Sequence, residues 1–168
     1  AERGRANGFA LEAARGGWAL AEALRRAGDL DGAERELGPA LAMMVPLELP
    51  AALATQAALR LAQGRAGDAL AAAEDGLARF RAAGGCGFFR GSFLRLVHAE
   101  ALHATGAHAA ARVAIGEAKA RVLAIADRIG DPAYRRSFLE EVPEVARTLG
   151  LARAWLGDPT PDDPRGRT

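Results

Sequence analysis

The sequence predicts an all-α protein built from repeated helix-turn-helix units. Every stretch between glycine or proline clusters has helical periodicity, and none has the alternation of a strand. A turn centred on glycine recurs at Gly28, Gly64 and Gly106, with spacings of 36 and 42 residues that are typical of helical repeat arrays. A small residue also stands seven positions before, five after and twelve after each of these glycines: Ala21, Ala33, Ala40; Ala57, Ala69, Gly76; Ala99, Ala111, Ala118.

The helices are expected to form three pairs. The first pair covers about Phe9–Ala27 and a second helix, capped by Asp29 or Asp31, to about Met44. Prolines 46 and 50 mark the link to the next pair, and Pro50 in the first turn of a helix costs no hydrogen bond. The second and third pairs are expected at about Ala51–Gln63, Ala66–Ala82, Phe88–Thr105 and His108–Ile129, with a glycine-rich break at residues 84–87.

A shorter helical segment is expected to close the chain. Asp131 is a plausible cap for a helix that starts at Pro132, and Pro143 is expected to kink or restart this segment. One apolar face of the closing helices is predicted from Phe138, Val142, Val145, Leu149, Ala152 and Leu156.

The small residues allow the two helices of such a pair to pack closely. Two helices approach to about 8 Å only where the residues in contact are small. The alanines before and after each turn are therefore expected to face each other, and the third small residue is expected to meet the next pair. Larger residues are expected to fill the remaining space: Leu37, Leu41, Leu77 and Ile115.

Composition restricts the function. The 168 residues carry a formal net charge of +1 without a basic stripe, so nucleic acid is not expected as a partner. The single cysteine fits a reducing cytoplasm, and no apolar stretch is long enough to predict membrane insertion.

The pattern of small residues resembles the tetratricopeptide repeat over about Ala14 to Lys119. It departs from that family where aromatic residues are expected near the turn, at Leu24, Arg60 and Leu102. The resemblance implies a tetratricopeptide-like α-solenoid over residues 1–157. Its repeats would lie at about 14–46, 50–83 and 88–130, followed by a cap at 131–157 and a disordered tail at 158–168.

A second resemblance concerns the segment RIGDPAYRRSFLEEVPEVARTL, residues 128–149, with Trp155-Leu156-Gly157 after it. It is similar to the C-terminal end of large bacterial signalling proteins, best known in myxobacteria, which join a serine/threonine kinase, an ATPase module and a tetratricopeptide region. The resemblance implies that this chain is the regulatory or sensory tail of such a protein. It carries over no catalytic residue.

No motif in the chain predicts an enzyme or a cofactor. His98-Ala-Glu100 lacks the P-C-x-x-C partner of zinc deaminases. His98, His103 and His108 are five residues apart, which rotates each by about 140° from the last on one helix and disfavours a shared metal site. The alternative to a binding module is a non-binding structural or dimerisation segment of a larger enzyme with its catalytic domain upstream.

Candidate partner-binding residues follow from the repeat geometry. The concave face of an α-solenoid is lined by the first helix of each pair. Counting along the repeats places these residues there: Arg15, Trp18, Glu22, Arg25 and Arg26 from the first pair, and Glu100 and His103 from the third. The arginines are expected to select an acidic protein or peptide. A core role for Trp18 and self-association of the chain both stay open.

Overall fold

The computed structural model describes residues 2–85 and 91–157, with side chains described from residue 9 onward. The regular secondary structure of this part of the chain is entirely α-helix, which confirms the predicted all-α class. Its helices are α1 (Glu2–Ala27), α2 (Leu30–Met43), α3 (Leu49–Ala62), α4 (Ala66–Ala82), α5 (Ser92–Ala104), α6 (His108–Ala126), α7 (Pro132–Glu140) and α8 (Pro143–Leu156).

The helices form three hairpins that pack in chain order. Helix α1 packs against α2, α3 against α4, and α5 against α6. Helix α3 also contacts α1 and α2, and α5 contacts α3 and α4. Helix α8 closes the row by packing on α5 and α6, while α7 contacts α8 and α6. No helix in these ranges combines the length and the hydrophobicity that crossing a bilayer requires.

The observed helix bounds differ from the predicted ones mainly at the ends. The bounds of α4 agree residue for residue, whereas α1 begins earlier than predicted, at Glu2. Helix α6 ends at Ala126, three residues before the predicted Ile129, and the chain breaks between α7 and α8 at Pro143 as expected. The predicted start of the third pair at Phe88 and the predicted tail 158–168 lie outside the described residues.

The three glycine turns share one backbone geometry. Gly28, Gly64 and Gly106 have φ values of 89°, 74° and 84°, a region that glycine enters without steric cost. Each glycine N–H donates to the carbonyl three residues earlier, and the next N–H donates to the carbonyl five residues earlier. This is the Schellman arrangement, which satisfies the last carbonyls of a helix. The same turn therefore joins the two helices of every hairpin.

All nine small residues of the repeated pattern are buried. The alanines are at most 2% exposed. A Cβ added at Gly76 of α4 would lie 2.9 Å from Leu94 Cδ1 of α5, so this residue meets the next hairpin as expected. In the first hairpin, a Cβ added at Gly17 would lie 3.3 Å from Ala40 Cβ, which shows that Ala40 packs on α1 of its own hairpin. Helix α1 is 26 residues long and runs past its 14-residue partner α2, so Ala40 contacts its own hairpin.

The larger residues between the small ones form the core. Leu37, Leu77 and Ile115 are at most 4% exposed, and Leu41 is partly buried. One cluster joins α1, α2 and α3, a second joins α3, α4 and α5, and a third joins α5, α6 and α8. The C-terminal helix is therefore part of the hydrophobic core of the third hairpin.

Candidate binding groove

A groove of about 620 Å³ lies between the first helices of the three hairpins. Helices α1, α3 and α5 contribute most of its lining, and the first turns of α8 form one edge. Much of the lining is apolar. The lining residues are Trp18, Glu22, Arg25, Arg26, Ala51, Thr55, Ala58, Leu61, Phe93, Leu96, Val97, Glu100, Pro143, Glu144 and Arg147.

The structure places the seven candidate residues in or beside this groove. Five of them line it: Trp18, Glu22, Arg25, Arg26 and Glu100. His103 lies in an adjoining cavity of about 360 Å³, which shares Leu61, Glu100 and Arg147 with the groove. Arg15 lies in another cavity, of about 390 Å³, beside Trp18 and Glu48. The repeat register thus brings all seven to one side of the molecule.

Trp18 lies partly in the core and partly in the groove. Its indole Nε1 donates a hydrogen bond of 2.9 Å to Thr55 Oγ1, which ties α1 to α3. The ring packs on the buried cluster of α1, α2 and α3, yet the side chain also lines the groove. Its position is therefore fixed by the core while part of its surface stays available to a ligand.

Glu22 holds two arginines at the rim of the groove. Arg25 donates two hydrogen bonds to it, of 2.7 and 3.0 Å, and Arg26 donates one of 2.7 Å. Burial raises the pKa of Glu22, but the hydrogen bonds and charges of Arg25 and Arg26 outweigh it, so the pKa lies below its usual value. The Arg25 guanidinium also lies 6.0 Å from the centre of the Phe93 ring on α5. Arg25 therefore spans the groove from the first hairpin to the third.

The ion pairs change the expected electrostatics of the site. The arginines were expected to select an acidic partner, but each of them already has a carboxylate partner: Arg15 pairs with Glu12 and Glu48, and Arg25 and Arg26 share Glu22. The groove lining contains as many glutamates as arginines. The charges of the lining therefore give little reason to expect a preference for an acidic ligand.

The Arg15–Glu48 pair joins α1 to the segment before α3. Arg15 Nε donates to Glu48 Oε2 at 3.0 Å, and Glu48 is 7% exposed. The hydrogen bond from Arg15 holds the pKa of Glu48 below its usual range. A carboxylate whose pKa is lower in the folded state stabilises the fold above its unfolded pKa, and this contribution is lost as the pH falls through the folded pKa.

We expect acid to destabilise the wild-type chain more than the Glu48→Gln variant. The unfolded glutamate has a pKa of about 4.3, so the difference should develop below that pH. Urea unfolding between pH 7 and pH 3 measures it. The variant should be the less stable protein at pH 7, and the two curves should converge at low pH. Curves that stay parallel would show that the Glu48 pair does not contribute to the acid dependence.

The positions of the histidines correct the expectation that all three lie on one helix. The rotation argument treated the three histidines as lying on one helix, but the turn at Gly106 ends α5 and brings His103 beside His108 with ring centres 4.6 Å apart. His103 also stacks on Trp155 of α8, with ring centres 4.4 Å apart and planes 8° from parallel. Among the described residues, no group of three histidine, cysteine, aspartate or glutamate side chains could hold a metal ion.

Sequence reasoning missed several groove residues. Phe93 stands thirteen residues before Gly106, the position that Arg15 occupies before Gly28. Leu61 stands three residues before Gly64, the position that Arg25 occupies before Gly28. Extending the same count to all three hairpins would have found them.

Helix α8 contributes Pro143, Glu144 and Arg147 to the groove, and this helix follows no repeat register. Arg147 Nε donates to Glu100 Oε1 at 2.9 Å and so fixes this edge of the groove.

Comparison of the chain with models of known protein families, with curated proteins and with solved structures finds no match.

Proposed function

We propose that the chain is a protein–protein interaction scaffold that binds a peptide or a helix of its partner in the groove. The observation that carries this proposal is the continuity of the groove lining, which comes from the first helix of three consecutive hairpins and from α8. A ligand in this position contacts every hairpin at once. A concave, mostly apolar surface with a few fixed polar groups is typical of ligand sites.

The polar groups of the groove are held in place before a ligand arrives. Glu22 fixes Arg25, and Glu100 fixes Arg147. Side chains that are already ordered lose less entropy on binding, so more of the contact energy contributes to affinity. An apolar anchor of the ligand would lie on the floor formed by Ala58, Leu61, Phe93 and Leu96, beside the Trp18 ring.

A random peptide library displayed on phage tests this proposal. We expect selected peptides to carry a large apolar residue, and to lose at least about tenfold in affinity against the Trp18→Ala and Leu61→Ala variants. Isothermal titration calorimetry measures the affinities, and circular dichroism verifies that the variants are folded. The matched control is Val113→Ala, because Val113 is 64% exposed on α6 and does not line the groove.

Selected peptides that bind both groove variants and the control equally well would show that the groove is not the binding site. A library that yields no binding peptide would favour the alternative of a non-binding structural segment of a larger protein. The place of the chain in a bacterial kinase–ATPase signalling protein stays a prediction from the sequence resemblance, and sequencing the gene upstream of residue 1 tests it.

A further inference from the structure

An exposed apolar stripe runs along α1 on the side away from the groove. Its members are separated by four and three residues in alternation, which keeps them on one face of a helix. The two large members are Phe9, 77% exposed, and Leu20, 47% exposed. Among the described residues, no atom lies within 4 Å of a Cβ added at Gly16. The stripe consists of Phe9, Ala13, Gly16, Leu20, Ala23 and Ala27, and all six are exposed.

The corresponding face is buried in the later hairpins. Gly16 and Ala23 stand twelve and five residues before the turn glycine of the first hairpin. The residues at the same positions before Gly64 and Gly106 are at most 1% exposed: Ala52, Leu59, Leu94 and Ala101. Of these, Ala52 and Leu59 pack against the first hairpin, and Leu94 packs against the second. The face is thus a helix-packing surface in α3 and α5, and it is uncovered in α1 among the described residues.

The stripe is complementary to a second copy of itself in the antiparallel direction. Its six positions are symmetric about residue 18, so an antiparallel α1 places each large residue opposite a small one. Phe9 then meets Ala27 of the second copy, and Leu20 meets Gly16 of the second copy. Such an isologous contact closes as a dimer. A parallel arrangement would instead place Leu20 against Leu20 and Gly16 against Gly16.

The charges beside the stripe agree with the antiparallel arrangement. Glu12 and Arg26 flank it on one side, and their side chains are 70% and 66% exposed. An antiparallel partner brings Glu12 near Arg26 of the second copy, and the reverse pair forms at the other end. Their present partners, Arg15 and Glu22, lie three and four residues away on the same helix. Surface pairs of this kind contribute little, so a new arrangement costs little.

We propose that the protein forms a homodimer through α1, with two α1 helices packed antiparallel along this stripe. Trp18 and Arg25 point to the opposite side of the helix, toward the groove. Dimerisation therefore leaves the floor of the groove open, and this proposal stands independently of the proposed groove function.

Sedimentation velocity over a concentration series tests the dimer. We expect a concentration-dependent dimer whose dissociation constant rises at least about tenfold in the Leu20→Glu variant, because the change buries an unpaired carboxylate against Gly16 of the second copy. The matched control Val113→Glu introduces the same charge at an exposed residue of α6 and should leave dimerisation unchanged. Two results would overturn the proposal: a wild-type chain that is monomeric up to millimolar concentration, or a dimer that Leu20→Glu leaves unchanged. Either result would favour a helix of another protein as the occupant of this face.

Cysteine cross-linking tests the direction of the helices. In a Cys86→Ser background, the double variant Ala13→Cys/Ala23→Cys should oxidise to a covalent dimer, because these positions oppose each other in the antiparallel arrangement. The single variant Ala13→Cys should not form a covalent dimer, because the two copies of residue 13 would lie about ten residues, or about 15 Å, apart along the helix. Covalent dimer from the single variant would indicate parallel helices and overturn the proposed arrangement.

Discussion

Replacing Gly76 by valine is expected to lower the free energy of unfolding by about 3 kcal/mol. Gly76 lies where α4 crosses both α3 and α5. An added Cβ would come within 2.9 Å of Leu94 Cδ1 and 3.3 Å of Leu53 Cβ. Leu94 is fully buried and Leu53 is 7% exposed, so neither can move without disturbing the core. Urea unfolding followed by circular dichroism measures the loss.

The matched control is the same exchange at Gly150 in the middle of α8. This glycine is exposed, and no described atom lies within 4 Å of an added Cβ. Valine should raise stability there by less than about 1 kcal/mol, because it is a better helix former than glycine. Equal losses at the two sites would mean that Gly76 is not needed for the close approach of the helices.

The Ile115→Ala variant is expected to lose about 3 to 4 kcal/mol of unfolding free energy. Ile115 is fully buried and packs with Leu96, Ala99 and Ala152, so it joins α6 to both α5 and α8. Truncation removes buried methyl groups and leaves a cavity at the point where the C-terminal helix closes the core. The change in urea midpoint reports the loss, and hydrogen exchange of the α8 amides reports whether this helix loosens first.

Val113→Ala provides the control on the same helix. Val113 is 64% exposed, so its truncation should change the unfolding free energy by less than about 0.5 kcal/mol. A similar loss for the two variants would contradict the assignment of Ile115 to the core. Unchanged exchange of the α8 amides in Ile115→Ala would show that α8 is held mainly by other contacts, such as Arg147 to Glu100.

The repeated turn shows how much of the local structure followed from the sequence. Glycine at positions 28, 64 and 106 was predicted to end a helix, and all three have positive φ in the same hydrogen-bonded turn. The Asp131 cap was also predictable, because a short acidic side chain can accept from the free N–H groups of a helix start, as its Oδ1 does from Ala133 and Tyr134. These features depend on residues that are close together along the chain.

The start of α1 and the end of α6 were less predictable. The first residues of the chain have weak apolar periodicity, yet α1 extends back to Glu2. Helix α6 ends at Ala126 although the apolar Ile129 suggested a longer helix. Helix ends depend on which carbonyls find partners in the folded protein, and periodicity alone does not contain this information.

The candidate site was predictable in position but not in chemistry. The count from each turn glycine brought Trp18, Glu22, Arg25 and Glu100 to one groove. It did not reveal that Arg25 and Arg26 share one carboxylate, nor that Arg15 pairs with Glu48, 33 residues further along the chain. The predicted preference for acidic ligands stays a prediction, and these pairs weaken the charge argument for it, because an arginine that is already paired offers little net charge to a partner.

By itself, the sequence determined the helical fold, the three turns and the small residues that let helices approach, because helix periodicity, glycine conformation and side-chain volume act locally. Only the tertiary structure decided what the groove contains. The edge supplied by α8, the Arg25 contact with Phe93 across the groove and the stacking of His103 on Trp155 all join residues far apart in the chain. Such contacts are fixed by how the hairpins pack on one another, and no local pattern encodes that packing.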